Sequence, residues 1–177
     1  MDLKENIVGT KDIFDGFLFK IMVHDIVLPD GTRGNREIVK HNGGVGIIAV
    51  TPERDVFMVT QYRIAADEIL LEIPAGRLEK DENPYNAAKR ELEEETGYRA
   101  KELIPLGEYY ATPGYCTEKL MIYLATEFEF KGQHLDEGEF LNVSKIPLDD
   151  LYEMVMQNKI HDCKTAIAVL KAKAILG

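Results

Sequence analysis

Four glutamates stand close together near the middle of the chain, at spacings that suit the binding of a divalent cation. They are Glu91, Glu93, Glu94 and Glu95. Three of them lie at i, i+3 and i+4 and so share one face of a helix. Mg²⁺ prefers oxygen ligands in octahedral geometry and keeps several waters. The cluster therefore predicts a site for a hard divalent cation.

The place of these glutamates within the predicted helix strengthens this interpretation. A helix C-terminus carries about half a negative charge, and an exposed carboxylate there costs about 0.3–1 kcal/mol. The i,i+4 pair Glu91 and Glu95 adds repulsion of about 0.2–0.5 kcal/mol. Stability alone would favour these residues in the first turn. A solvated acidic face is the alternative interpretation, and the surrounding pattern decides between the two.

The helix that carries the glutamates has clear start and stop signals. Asn83 is a suitable N-cap, and Pro84 fits the first helical position, where a missing N–H costs nothing. Gly97 can adopt the left-handed conformation that ends a helix. Arg90 stands four residues before Glu94 and is placed to hold that carboxylate.

Composition and charge exclude several classes of function. The chain has 177 residues, of which 45% are hydrophobic, and a formal net charge of −10. This charge argues against nucleic acid or an anionic membrane as the main partner. Two cysteines, Cys116 and Cys163, make no disulfide framework. Without a signal peptide or a long apolar run, the chain is predicted to be cytoplasmic.

The N-terminal part is predicted to form a small antiparallel β-sheet. A β-meander is expected from about residue 14 to residue 40. Residues 17–27 are rich in β-formers, Pro29-Asp30-Gly31 is a turn signal, and a strand resumes over residues 36–40. The break at Asn42-Gly43-Gly44 gives a predicted N-terminal unit over residues 1–42 and a main domain over residues 43–177. Such a small sheet hardly buries both faces alone, which favours pairing with a second copy of the chain.

The main domain is predicted to be of the α/β class. Expected strands cover residues 45–50, 56–63, 70–73, 103–110 and 120–130, and expected helices cover residues 148–156 and 164–175 in addition to the glutamate-bearing helix. An acidic loop is expected at residues 131–140. This order favours a mixed sheet between helical layers.

The stretch GRLEKDENPYNAAKRELEEETGY, from Gly76 to Tyr98, resembles the Nudix box. Gly76, Glu82 and the run that begins at Arg90 occupy its specified positions. This resemblance implies an α/β/α sandwich in which the box forms a loop–helix–loop. It also implies hydrolysis of a nucleoside diphosphate that is linked to another moiety.

Further segments resemble the ADP-ribose pyrophosphatase subgroup of this family. Pro113 stands sixteen positions after Gly97, and VTQYRIAADEILLEIPAGRLE, NREIVKHNGG and NKIHDCKTAIAVL are similar to that subgroup. The resemblance implies Mg²⁺-dependent cleavage of ADP-ribose, and possibly of other ADP-sugars, to AMP and ribose 5-phosphate, with Mn²⁺ as an alternative ion. It also implies a homodimer whose N-terminal sheets exchange between subunits.

The resemblance further implies roles for individual residues. The metal ligands would be Glu91, Glu94, Glu95 and the carbonyl of Ala75, with Arg90 orienting the glutamates. Substrate-binding roles fall to Arg36, Arg63, Pro113 and Glu139, and Glu137 matches the catalytic base. The alternative interpretation gives these residues no functional role. Arg36 and Arg63 would then be ordinary surface or interface cations, and Glu137 and Glu139 would simply be exposed to solvent.

Two alternative functions stay open. A Nudix hydrolase of another nucleoside diphosphate sugar, such as GDP-mannose, would share the box, since only base-contacting residues discriminate. A module that binds ADP-ribose without cleaving it is a different class, which an intact set of box carboxylates disfavours.

Overall fold

The computed structural model describes residues 2–135 and 137–177, which contain twelve strands and three helices. In chain order they are β1 (Asn6–Asp15), β2 (Lys20–Val27), β3 (Arg33–Lys40), β4 (Gly44–Ala49), β5 (Asp55–Arg63), β6 (Glu68–Glu72), β7 (Ala75–Arg77), α1 (Pro84–Thr96), β8 (Tyr98–Ala100), β9 (Ile104–Tyr110), β10 (Lys119–Ala125), β11 (Phe128–Phe130), β12 (Leu141–Pro147), α2 (Leu148–Met156) and α3 (Cys163–Leu176). None of the described helices is long and apolar enough to cross a membrane.

The chain divides into two compact units, of which the first comprises the residues up to Gly43 together with Tyr109–Lys119. In this unit β1, β2 and β3 form an antiparallel sheet in that order. The predicted start near residue 14 is wrong, because β1 begins at Asn6. Nearly every residue of β1 is exposed, so its sequence carries no alternation of buried and exposed positions.

The second unit comprises Gly44–Glu108 and Leu120–Gly177. Its four-stranded sheet has the order β7-β4-β10-β9, in which β4 pairs with β10 in parallel and with β7 in antiparallel fashion. The mixed sheet is therefore as predicted. A three-stranded antiparallel sheet has the order β12-β5-β6, and β8 pairs with β11.

Helix α1 packs on the core of the second unit through small and branched apolar residues. Ala87, Ala88 and Leu92 are fully buried and belong to one hydrophobic cluster with Val45 and Phe57. Glu91 follows Ala87 by four residues and Glu95 follows Leu92 by three, so both carboxylates continue the packed face of α1 toward its C-terminal end. The packing thus sets the direction in which the glutamates point.

Two strand predictions in the second unit need correction. The strand expected at residues 120–130 is two strands, because β10 pairs with β4 while β11 leaves that sheet to pair with β8. Strand β12 was not predicted, since most of its residues are exposed and its sequence is polar in the middle. Helix α2 has the predicted bounds, and α3 is one residue longer at each end.

Candidate active site

Helix α1 begins and ends at the residues that the sequence indicated. The Asn83 side chain accepts hydrogen bonds from the backbone N–H groups of Tyr85 and Asn86, at 3.0 and 3.3 Å. At the other end Gly97 has φ 80° and donates its N–H to the Glu93 carbonyl. A left-handed residue at this position ends a helix without strain only if it lacks a side chain.

The last turn of α1 is fastened by residues 131–134 of the acidic loop. The Glu94 carbonyl accepts a hydrogen bond from the His134 N–H at 3.1 Å, and the Glu95 carbonyl accepts one from Gln133 Nε2 at 2.6 Å. The Gly97 carbonyl accepts from the N–H of Lys131 at 2.8 Å. These bonds satisfy carbonyls that a helix end otherwise leaves without partners.

Glu95 is the most deeply buried carboxylate of the cluster, with 1% of its surface exposed. Its Oε2 accepts a hydrogen bond from the Ala75 N–H at 3.0 Å. Burial raises the pKa of Glu95 to about 8 against the effect of that bond, and the charges of Glu139 and Glu91 raise it further. The predicted metal ligand Ala75 thus lies beside Glu95, while the role of its carbonyl stays a prediction.

Glu91 lies against the backbone of Gly76. A Cβ at position 76 would overlap the Glu91 carboxyl group, so the absence of a side chain there is what admits the carboxylate. Burial raises the pKa of Glu91 to about 7; the charge of Arg90 opposes this, and the charges of Glu94 and Glu139 add to it. Glu91 and Glu95 are therefore held close together in surroundings that disfavour two negative charges.

Arg90 forms ion pairs with three carboxylates, those of Glu82, Glu91 and Glu94. Its Nε and Nη2 donate to the two oxygens of Glu82 at 3.0 and 3.1 Å, and its Nη1 donates to Glu94 Oε2 at 2.8 Å. The same Nη1 lies 2.8 Å from Glu91 Oε1. The hydrogen bonds to Glu82 and the neighbouring charges raise the pKa of Arg90, so it stays charged. The predicted contact with Glu94 forms, and Glu82 is the anchor that fixes the guanidinium.

Arg63 lies at the edge of this cluster. Its side chain is 41% exposed and donates two hydrogen bonds to the buried carboxylate of Glu72. Its charge also lowers the pKa of Glu95, which places it within electrostatic reach of that carboxylate. The structure therefore brings Arg63 to the glutamates, as a contact with a diphosphate would require.

The two loop glutamates differ in their surroundings. The charge of Glu139 raises the pKa of both Glu91 and Glu95, so Glu139 lies near the cluster. Glu137 is exposed. Both glutamates line an open hollow of about 500 Å³, together with Gln61, Tyr62, Gly138 and Phe140. The assignment of Glu137 as base stays a prediction.

Arg36 and Pro113 belong to the first unit. Arg36 donates to Glu5 Oε1 at 2.6 Å and to the carbonyl of Asn35 at 2.9 Å. Pro113 is exposed in a turn in which the Cys116 N–H donates to the Thr112 carbonyl at 3.0 Å. Their substrate-binding roles stay predictions.

The donor set fits a hard divalent cation. In residues 2–135 and 137–177 no three acidic, histidine or cysteine side chains form a ready-made group that could hold a metal ion. Arg90 instead occupies oxygens of Glu91 and Glu94. Burial raises the pKa values of Glu91 and Glu95 although Arg90 and the Ala75 N–H act in the other direction, so negative charge here is only partly compensated. A divalent cation would supply the missing positive charge.

The NUDIX domain family matches residues 40–164. The chain belongs to this family. It is 41% identical to ADP-ribose pyrophosphatase from Bacillus subtilis (strain 168) over 169 residues, which cover 94% of this chain and 91% of the relative. It is 40% identical to the methanol dehydrogenase activator of Bacillus methanolicus, again with 94% and 91% coverage. The predicted resemblance to Nudix hydrolases is confirmed, and the chain is a hydrolase.

A solved structure supports the Nudix fold. The crystal structure of an ADP compounds hydrolase matches with a TM-score of 0.87 at 22% identity, and the match covers 99% of this chain and 96% of that one. The predicted α/β Nudix fold is confirmed, whereas the exchange of N-terminal sheets between subunits stays a prediction. Nudix hydrolases as a family depend on divalent metal ions.

Proposed function

We propose that this Nudix hydrolase cleaves the diphosphate bond of ADP-ribose, with Mg²⁺ as its metal and Mn²⁺ as an alternative. The products are AMP and ribose 5-phosphate. The observation that carries this proposal is the 41% identity, over 94% of the chain, to an ADP-ribose pyrophosphatase. The carboxylate cluster at the end of α1 supports it, because metal ions held there would offset the two negative charges of a diphosphate diester.

The metal is proposed to lie on Glu91, Glu94, Glu95 and the Ala75 carbonyl. When bound, a divalent cation offsets the charge of the phosphate oxygens and makes a nearby water easier to deprotonate. Arg90 keeps the glutamates oriented, because its guanidinium is itself fixed by two bonds to Glu82. The Ala75 N–H holds one oxygen of Glu95, and the other oxygen is proposed to bind the metal.

The remaining residues are proposed to bind and activate the reactants. Glu137, exposed on the loop, accepts the proton of the attacking water. Arg63 is proposed to bind the diphosphate directly. Glu139, whose charge acts on both Glu91 and Glu95, is proposed to bind the substrate by way of a metal ion. Arg36 and Pro113 are proposed to contact the nucleoside.

A product assay tests this proposal. The purified chain is incubated with ADP-ribose in EDTA, in Mg²⁺ and in Mn²⁺, and AMP is measured by chromatography. AMP should form only with a divalent ion, and Glu137→Gln should lower kcat by about 10²-fold or more. Glu127→Gln, at an exposed carboxylate paired with Lys101, is the matched control. A wild-type chain that forms no AMP in either metal would overturn the proposal.

Two other functions are supported by specific relatives. GDP-mannose pyrophosphatase from Cronobacter sakazakii is 28% identical over 94% of the chain, so GDP-mannose is the alternative substrate. The relative named methanol dehydrogenase activator suggests an effect on another enzyme. Comparison of kcat/KM for ADP-ribose and GDP-mannose decides between the substrates. Tight binding of ADP-ribose in Mg²⁺ without AMP formation would favour a regulatory role.

We also propose that the chain forms a homodimer through its N-terminal sheet. Ile7, Val8, Ile13 and Phe14 on β1 are each more than half exposed, which is costly for apolar side chains in a single copy. Light scattering should give a mass near twice 20.0 kDa. A monomer at micromolar concentration would contradict this proposal.

A further inference from the structure

A network of ion pairs lies beside the carboxylate cluster, and of its members only Arg63 has a role in the scheme above. Its centre is Glu72, the last residue of β6, which is 1% exposed. Glu72 Oε1 accepts from Arg63 Nε at 2.7 Å, and Oε2 accepts from Nη2 at 2.9 Å. Two parallel bonds fix the plane of a guanidinium as well as its position.

Arg63 pairs with Glu72 although Glu68 is the residue that lies directly opposite it on the neighbouring strand. In the β5–β6 pairing Arg63 stands opposite Glu68, whereas Glu72 stands opposite Val59. Glu68 is exposed and lies 3.4 Å from His161 instead. The Arg63 side chain therefore runs along the hairpin to a buried partner, which restricts its rotamers more than a surface pair would.

Lys164 holds the same carboxylate from the first turn of α3. Its Nζ donates to Glu72 Oε2 and, at 2.9 Å, to Asp162 Oδ1. A cation at a helix N-terminus is disfavoured, so this lysine is placed against the local electrostatics. Although burial opposes ionisation of Glu72, Arg63 and Lys164 together hold its pKa below the ordinary value.

The backbone after Glu72 is fixed as well. The Ile73 N–H donates to Thr165 Oγ1 at 2.9 Å, and the Thr165 N–H donates to Asp162 Oδ2 at 3.0 Å. Two residues beyond Ile73, the Ala75 N–H donates to Glu95. The segment from Glu72 to Ala75 is thus anchored to α3 at one end and to the carboxylate cluster at the other.

We propose that Glu72, held by Lys164, is a positioning residue that aims Arg63 at the diphosphate of the substrate. This inference rests on the proposed function. A guanidinium has five N–H groups, of which Glu72 accepts two. Arg63 Nη1 makes no hydrogen bond within the described part of the chain, and the Arg63 charge acts on Glu95. A guanidinium fixed in advance binds phosphate at a lower entropic cost.

Steady-state kinetics of Glu72→Gln test the proposal. A neutral amide cannot accept both bonds, so KM for ADP-ribose should rise about tenfold while kcat stays within about twofold of wild type. This split is expected because the diphosphate is held equally in the ground and transition states. Glu68→Gln makes the same chemical change on the same strand and should leave both constants unchanged. An equal KM for the two variants would overturn the proposal.

A double-mutant cycle separates positioning from loss of structure. In an Arg63→Lys background, Glu72→Gln should raise KM by less than about twofold. The reason is that lysine lacks the paired N–H groups of a guanidinium, which Glu72 orients in the wild type. Fully multiplicative effects would overturn the proposal. If Glu72→Gln does not fold, Lys164→Met carries the test, with KM expected to rise about threefold at constant kcat and an unchanged KM as the contrary result. A wild-type chain that does not cleave ADP-ribose overturns the proposed function itself.

Discussion

Replacement of Glu95 by glutamine should stabilise the metal-free protein, and more strongly as pH rises. Glu95 is almost completely buried and is surrounded by the charges of Glu91 and Glu139. Glutamine keeps the shape and can still accept the hydrogen bond of the Ala75 N–H. It removes the cost of a buried negative charge that, without metal, the Ala75 N–H and the Arg63 charge offset only in part.

The sign and size follow from the pKa of this carboxyl group. It is about 8 in the folded chain, against an ordinary value of 4.5. Between these values the folded chain binds more protons than the unfolded chain, so the free energy of unfolding falls as pH rises. At about 1.4 kcal/mol per unit, Glu95 should cost the wild type about 3 kcal/mol between pH 5 and pH 8.

Urea denaturation in EDTA at several pH values measures this effect. The difference in unfolding free energy between Glu95→Gln and the wild type should grow by about 3 kcal/mol from pH 5 to pH 8. Glu93→Gln is the matched control, since Glu93 pairs with Arg99 outside the cluster. Saturating Mg²⁺ should cancel the advantage of the variant, because bound metal stabilises only the wild type. A difference that is constant with pH would refute the reasoning.

Three further predictions concern the geometry around α1. Gly76→Ala should lower kcat at least tenfold while the thermal midpoint stays within a few degrees, because its Cβ displaces only the flexible end of Glu91; a normal kcat would contradict this. Arg90→Lys should lower kcat/KM about 10²-fold in the product assay, since an ammonium cannot bond Glu82 and Glu94 in the same fork. Asn83→Ala should cost about 1 kcal/mol in urea denaturation with kcat unchanged, because it removes only the N-cap.

Helix α1 and its glutamates could be predicted because the signals are local. Capping by Asn83, the first-turn Pro84 and the left-handed Gly97 all act within a few residues of the helix ends. The grouping of Glu91, Glu94 and Glu95 follows from helical periodicity alone. The buried strand β4 was also predictable, because a short continuous run of apolar residues is typical of a strand that is covered on both faces.

Contacts between distant segments could not be predicted from one sequence. Lys164 and Glu72 stand 92 positions apart, and no local pattern indicates that α3 supplies a cation to the end of β6. The burial of Glu72 could not be predicted either, because it arises only when the folded sheet packs against other segments. Strands β1 and β12 escaped prediction because exposed strands lack apolar alternation. The approach of Glu139 to Glu91 and Glu95 depends on how the loop folds back.

Residues 131–134 of the acidic loop are hydrogen-bonded to the last turn of α1, and we call them its footing. The residues of the loop beyond His134 are its tip. Residues of the footing donate hydrogen bonds to the carbonyls of Glu94 and Glu95, so a change in its length should displace these proposed metal ligands. The tip beyond His134 carries Glu137 and Glu139. A tip of another length or charge that keeps Glu137 and Glu139, grafted onto unchanged residues 131–134, should alter which leaving groups are accepted while the carboxylates of α1 stay in position. The range of substrates that such a chain accepts could therefore change through a few substitutions in the tip of the loop.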